Sequence, residues 1–335
     1  MKIVVLGGGQ STERQVSLVS ATSVCRALRS LGHKAIFVDL FFGLENYEGS
    51  LDGIFDVEGG FCADFKVEET APDIEAIRKS RKDNTNGSFG NRVLDVCKMA
   101  DCVFLGLHGA EGEDGRVQAA FDLMGIPYTG SGSLGSALGM DKEYSKQVML
   151  CNGIPTAPFV TEAPCVVKEV NGGSSIGTWV CKTDEKLRAA LKEVKGKYII
   201  EKFIEGREFT VPVFDGKALD VIEIVAPDGN FDYVSKYQSG ESGAREICPA
   251  RITETEKELM QSLALKYHNA MGLSVYSRTD FILDKDGNAW CLEVNTLPGM
   301  TPSSLIPKAA KQAGIEYPEL CEKIVLLSLE KYNKK

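Results

Sequence analysis

Nowhere does the chain hold the roughly 20 consecutive apolar residues that a membrane-spanning helix needs. Its start, MKIVVLGGG, enters a strand directly. It lacks the apolar core and cleavage site of a secretory signal, so a cytoplasmic location is the expectation. Basic charge is in deficit: 38 Lys and Arg stand against 47 Asp and Glu, a net charge of −9. That balance excludes a broad nucleic-acid or anionic-membrane surface. A polyanionic ligand would need local lysines and metal ions to offset the field. The 10 cysteines include no CxxC pair, and Cys25, Cys102 and Cys291 sit in apolar runs. Buried free thiols in a reducing compartment fit this pattern better than a disulfide framework or a zinc site. Internal repeats and low-complexity segments are also missing.

What is present reads as a globular α/β protein. With 335 residues, 43% hydrophobic and 25% charged, the chain has room for two or three packed domains. Lys2 to Leu6 is a continuous apolar run suited to a buried parallel strand. Gly7-Gly8-Gly9 follows, then a helix opening at Ser11 to Gln15, then a strand from His33 to Leu40. This is a mononucleotide-fold start, but Thr12 takes the place of the third glycine in G-x-G-x-x-G, so a dinucleotide dehydrogenase is a weak reading. A glycine loop at a helix N-terminus suits an anion, while Glu13 within it suits a cation such as an ammonium. The alternative for Glu13 is a first-turn acid that stabilises the helix dipole.

Residues 41–95 are polar and poorly patterned, an irregular excursion with one or two helices. Ala100 to Leu107 is a buried strand ending in His108-Gly109-Ala110-Glu111-Gly112. Ligands of open α/β sheets bind beyond the carboxyl ends of strands, which is where His108 falls. Val117 to Met124 reads as a helix and Ile126 to Gly132 as a strand leading into a boundary. Ser136 to Cys151 reads as one helix. Cys165 to Lys168 is a strand running into Glu169 to Gly177, a glycine-rich loop without the G-K-[ST] ending of a P-loop. Its N–H groups and serines suit the covering of phosphates; a plain flexible loop is the alternative. Strands are expected at Tyr198 to Phe203, Phe209 to Phe214, 218–225 and 231–237. The segment Glu201 to Ile204 has the form of a strand whose backbone could pair with an adenine edge. A helix is expected from Glu254 to Met271, with Thr253 and Glu256 forming a capping box, and a last one over roughly 317–333.

Between them lies Arg278 to Leu305. Its apolar runs Phe281 to Leu283 and Ala289 to Leu292 flank Asp284-Lys285-Asp286-Gly287-Asn288, which predicts a β-hairpin. Asp280 would start the first strand, and Glu293 and Asn295 would end the second. E-x-N spacing puts the last two on one face of a strand. Two carboxylates and a carboxamide then converge beside Arg278, a hard-oxygen set suited to Mg²⁺. The alternative is a pair of ordinary strand-end acids at a solvated rim.

Set in order, STERQVSL, LHGAEGEDG, PYTGSG followed by MDK, VVKEVNGGSSIG, IEKFIEGREFTV, FDYVSKY, CPARI and RTDF…EVNTLPGMTPSSL resemble the D-alanine:D-alanine ligases of the ATP-grasp superfamily. The resemblance covers nearly the whole chain apart from 41–95. It implies an α/β, three-domain ATP-grasp fold with a Rossmann-like N-terminal domain. The expected divisions are 1–130 for substrate binding, 131–204 for the central ATP-grasp domain and 205–335 for the catalytic domain.

Carried over by position, the resemblance implies that Lys142 and Lys168 bind phosphates. Glu201, Lys202, Phe203, Ile204 and Glu208 would surround adenine and ribose, and Asp280, Glu293 and Asn295 would hold two Mg²⁺ or Mn²⁺ ions. Arg278 and the Gly299 N–H would stabilise an oxyanion. Glu13, with His108 nearby, would receive the first D-alanine, and Ser304 and Leu305 the carboxylate of the second. Lys236 and Tyr237 would lie on a closing loop, with Ser174 linking Tyr237 to Glu13 and Ser175 beside it at the phosphates. ATP and D-alanine are the implied substrates and a homodimer the implied assembly, with no nucleic-acid or membrane partner. Glu169 and Gly172 depart from the family pattern, which usually has proline and an acid there. Same-fold ligases making D-alanyl-D-serine or D-alanyl-D-lactate remain open as alternatives, although Tyr237 after Lys236 favours D-alanine. A different carboxylate–amine ligase should lack the Glu13, His108 and Ser304-Leu305 set. A non-catalytic nucleotide-binding regulator should lack the metal ligands.

Overall fold

The computed structural model describes residues 1–68, 70, 72–82, 87–173, 177–225 and 244–333. They fall into two units. One comprises Met1–Ser133, Ser274–Tyr276 and Leu297–Lys335, and the other Leu134–Leu273 and Ser277–Thr296.

In the first unit, β1 (Lys2–Gly7) lies between β2 (Lys34–Asp39) and β3 (Cys102–Leu105), all parallel. Ile3, Val4, Val5 and Leu6 are wholly buried, as an apolar run covered on both faces should be. α1 (Arg14–Ser30) carries the chain from β1 to β2, and β3 then returns to the opposite side of β1. The carboxyl ends of β1 and β3 therefore flank a topological switch point. The glycine loop is fixed there by the helix that follows it. Ser17 accepts from Gly8 N (2.9 Å) and donates to Gly106 O (2.7 Å). The guanidinium of Arg14 pairs with Asp39 and donates to Gly9 O.

The excursion after β2 holds two short 3-10 turns (Leu51–Asp56, Glu58–Phe61) and helices α2 (Ile74–Ser80) and α3 (Val93–Lys98). α4 (Arg116–Met124) lies where its pattern placed it. The strand expected after it shrinks to a single parallel bridge, Val103 with Tyr128. Pro127 accepts from Val103 but has no N–H of its own to extend the ladder.

The second unit contains two sheets. The expected single helix over 136–151 is two, α5 (Ser133–Met140) and α6 (Lys142–Cys151). Asp141 divides them because its carboxylate takes the N–H groups of Glu143 and Tyr144, both at 3.0 Å, as an N-cap. A three-stranded antiparallel sheet places β4 (Cys165–Glu169) between β5 (Thr178–Cys181) and β6 (Tyr198–Lys202). Cys165, Val167 and Cys181 pack there on Leu187 and Ala190 of α7 (Asp184–Glu193).

The larger sheet runs β10 (Arg245–Ile247), β9 (Ile222–Val225), β7 (Gly206–Phe214), β11 (Tyr276–Asp284), β12 (Ala289–Asn295), with β8 (Lys217–Ala218) paired to β7. α8 (Glu254–Ala270) covers it, its Met260 and Tyr267 packing with Phe209, Val211, Phe281 and Cys291. Thr253 and Glu256 form the anticipated capping box. Two helices close the chain within the first unit: α9 (Leu305–Gln312), which no pattern announced, and α10 (Tyr317–Asn333), which the sequence placed. The strand expected at 231–237 lies outside the described residues.

Candidate active site

The β11–β12 hairpin forms, but longer than its apolar runs suggested. Asp280 is mid-strand rather than at a strand start, because small buried Ser277 and Thr279 extend the alternation backwards. Arg278 pairs with Asn295 and Asp280 with Glu293. The register then shifts, so that Phe281 pairs with Cys291 and Leu292 is the extra residue of a bulge. A regular period of two from buried Ala289 and Cys291 would turn Glu293 and Asn295 into the core. The bulge reverses that phase, and Arg278, Asp280, Glu293 and Asn295 share one face.

Carboxylates directly opposite one another repel, and cations offset them here. Arg278 donates Nε and Nη2 to the two oxygens of Asp280, each at 2.9 Å, and Thr210 donates to the same carboxylate. Lys142 Nζ stands 3.7 Å from Glu293 and also donates to the carbonyl of Gly172 in the glycine loop. The oxygen donors fit a hard divalent cation. Among the described residues no group of three or more His, Cys, Asp or Glu side chains is poised for a metal. The Asn295 amide oxygen and phosphate oxygens would have to complete a shell.

Beside this face lies a buried charge cluster. Lys168 on β4 and Lys146 on α6 hold the two oxygens of Glu201 on β6. Burial pulls the Lys168 ammonium down, but the Glu201, Glu293 and Glu208 carboxylates outweigh it and raise it. Burial pushes Glu201 up, and Lys168 and Lys146 together bring it below the usual carboxylate range. Lys202 is exposed and its N–H goes to Pro158 O, while that of Phe203 goes to Pro164 O. The Phe203 ring lies under Lys182 Nζ (5.6 Å) and Ile204 is half-buried.

The remaining expected residues gather in the first unit. Gly109 has φ +71, and a Cβ there would meet Ser11 Oγ at 2.3 Å and Glu13 Oε2 at 2.9 Å. The Glu13 carboxylate therefore rests against the loop after β3, while the Glu13 N–H donates to Ser11 Oγ. His108 is buried and its Nδ1 lies 2.8 Å from Leu297 O. A carbonyl only accepts, so Nδ1 carries the proton. Nε2 bonds Ser20 Oγ (3.1 Å), which also accepts from Met300 N. His108 thus anchors the backbone on both sides of Gly299. A Cβ at Gly299 would lie 3.0 Å from Ser304 Oγ. Ser304 bonds back to Thr301 instead of capping α9, so the helix N-terminus at Leu305 presents donors suited to a carboxylate.

Ser174, Ser175, Lys236 and Tyr237 lie outside the described residues. Two features escaped the sequence reading. Lys146 follows Lys142 by one helical turn, a spacing that could have flagged it. Glu223 is buried under Arg207 and Arg251, with contacts of 2.8 and 2.9 Å; no local pattern marks it.

A switch-point sheet joined in one chain to an antiparallel sheet that carries a glycine-rich loop, and to an oxygen-donor hairpin, defines an α/β protein of the ATP-grasp class. Family models described as D-ala D-ala ligase N-terminus and C-terminus match residues 2–131 and 152–326. D-alanine–D-alanine ligase of Pediococcus pentosaceus is 42% identical, covering 100% of this chain and 99% of its own. That of Lacticaseibacillus casei is 39% identical over 99% and 97%. The crystal structure of the Bacillus anthracis ligase is similar with a TM-score of 0.75 and 30% identity, over 100% and 99% of the chains. Its ATP complex gives 0.73 and 28%, with the same coverage. The chain belongs to the D-alanine–D-alanine ligase family.

Proposed function

We propose that this chain joins two molecules of D-alanine in an ATP-dependent ligation that supplies a peptidoglycan precursor. The first D-alanine carboxylate attacks the γ-phosphorus of ATP, forming D-alanyl phosphate and ADP. The amine of the second attacks the acyl carbon, and phosphate leaves to give D-alanyl-D-alanine. Full-length relatives carrying that name support the substrate.

The observation that carries the reading is the bulge that turns Arg278, Asp280, Glu293 and Asn295 onto one face. Phosphoryl transfer asks for positioning and charge neutralisation rather than a protein nucleophile, and this face offers both. Two Mg²⁺ or Mn²⁺ ions would be held by Asp280, Glu293 and Asn295 and would neutralise phosphate charge. Lys142 and Lys168 serve the phosphates, with Ser174 and Ser175. Glu201, Lys202, Phe203, Ile204 and Glu208 serve the nucleoside, and Lys236 and Tyr237 belong to the closing segment. Glu13 receives the first D-alanine ammonium, and His108 supports it by fixing the segment that bears Gly299. Ser304 and Leu305 take the second carboxylate, and Arg278 with the Gly299 N–H takes the oxyanion. The division at 130 and 204, a homodimeric assembly and a cytoplasmic location belong to the same proposal. None of the described helices is long and apolar enough to cross a membrane.

Phosphate release measured with ATP, Mg²⁺ and D-alanine, then with D-serine or D-lactate as second substrate, tests it. D-alanine-dependent ADP formation with a dipeptide product is expected. No such formation would sink the reading.

A further inference from the structure

Lys146 has no part in the chemistry described so far, yet it is among the most deeply buried charges in the chain. Its residue is 1% exposed. Its ammonium lies 2.5 Å from Glu201 Oε2, and the ring of Phe159 covers it with the centroid 4.9 Å away. Lys168 holds the other oxygen of the same carboxylate. One formal negative charge is thus shared in direct contact by two positive ones, with Glu293 and Glu208 acting on Lys168 from further off.

Burying such charges costs several kcal/mol per ion even after relaxation, and a lone lysine–glutamate pair would leave less charge uncompensated. The second lysine is therefore the feature that needs a reason. The two lysines also differ: the Lys146 side chain is 2% exposed and that of Lys168 13%. Lys168 stands on β4 at the entry to the glycine loop and is the one with room to turn toward a ligand. Lys146, enclosed by helix, strand and ring, is the fixed partner.

We propose that Lys146 is a positioning residue for ATP. It permanently occupies Oε2 of Glu201, so that the carboxylate orients Lys168 without holding it back from phosphate. This rests on the reading above that Lys168 meets the phosphates. Without Lys146, the whole charge of Glu201 falls on Lys168, which is then retained by the carboxylate, and the phosphate site loses one positive charge.

Steady-state kinetics of Lys146→Met, Lys146→Arg, Glu201→Gln and the double variant Lys146→Met/Glu201→Gln test the proposal. Met keeps the unbranched apolar stem beside Phe159 while removing the charge. The expected result for Lys146→Met is a KM for ATP raised roughly ten- to a hundredfold, the range seen when a partner that orients a metal ligand is lost. Its KM for D-alanine should stay within about twofold, since a loss confined to phosphate binding is uniform binding of one substrate. Lys146→Arg restores the charge and should recover most of the loss. Glu201→Gln carries a loss of its own, from the nucleoside contact, and is the reference for the double variant: with the anion that traps Lys168 gone, adding Lys146→Met should raise KM for ATP by no more than about twofold over Glu201→Gln.

A purely packing role would give no such rescue. An unchanged KM for ATP in Lys146→Met, or a Lys146→Met effect as large in the Glu201→Gln background as in wild type, overturns the proposal. If Lys146→Met does not fold, the Arg variant must bind ATP near the wild-type value and the double variant near the value of Glu201→Gln, and failure of either overturns it. A normal KM for ATP in Lys168→Met is a different result: it would remove the phosphate role on which the inference stands.

Discussion

Removing Arg278 separates two tasks of one side chain, the contact with Asp280 that the structure shows and the oxyanion role of the proposed reaction. Its guanidinium grips both oxygens of Asp280 at 2.9 Å, and the proposed reaction asks it to stabilise an oxyanion. In Arg278→Ala, the loss of an oxyanion donor should raise the barrier by about 3–4 kcal/mol, or roughly 10²- to 10³-fold in kcat. The effect on the metal has the opposite sign. The two side chains are only 16% and 14% exposed. Truncation would leave Asp280 Oδ2 without the donor it now has, at a cost of about 1–3 kcal/mol in stability. A divalent cation could repay that cost, and it would no longer compete with a guanidinium. Mg²⁺ should therefore bind the variant at least as tightly as wild type and raise its melting temperature more. Phosphate release titrated with Mg²⁺, alongside thermal unfolding with and without the ion, reads both quantities. Recovery of kcat toward wild type at high Mg²⁺ would refute the reasoning, because it would mean that Arg278 acted only by placing Asp280.

Two further predictions concern the scaffold and the amino-acid side of the site. His268, 4% exposed and bonded to Ser277 Oγ at 2.7 Å, has its pKa pushed down to about 4 by burial. Its folded pKa lies below the unfolded value near 6.5, so the unfolded chain binds the extra proton between those limits. Stability should be level above about pH 6.5, fall by about 3 kcal/mol as pH drops through the window, and level off below pH 4. Denaturant titrations of wild type and His268→Gln should show this part of the slope only in wild type; identical slopes would contradict it. Gly109→Ala combines left-handed strain of about 1–2 kcal/mol with a Cβ driven into Ser11 and the Glu13 carboxylate. It should raise KM for D-alanine about tenfold and leave KM for ATP within about twofold, given roughly 1.4 kcal/mol per decade. An unchanged KM for D-alanine would detach Glu13 from substrate binding.

Much of this was readable without coordinates because the signals were local. The run Lys2 to Leu6 is buried on both faces, the Thr253–Glu256 box caps its helix, and the last helix occupies Tyr317–Asn333. Each depends on residues within a turn or two of one another. The errors have local causes too. Asp141 divided a helix by taking two backbone donors for itself, and Pro127 withheld the N–H that a strand needed. Helix α9 was missed because its eight residues are too few to establish a period.

The family, the order of the motifs and the residue types at the candidate site are covalent facts carried by short spacings. Which of those groups meet follows from packing. Placing Asp280 beside Glu293 needed a bulge at Leu292 that no composition announces, because it is a property of two strands in register. The trio of Lys146, Lys168 and Glu201 needed a helix and two strands to close on one carboxylate, across separations of 55 and 33 residues. A buried charge is stable only where its partners are fixed around it, and partners that distant are supplied by packing, not by spacing.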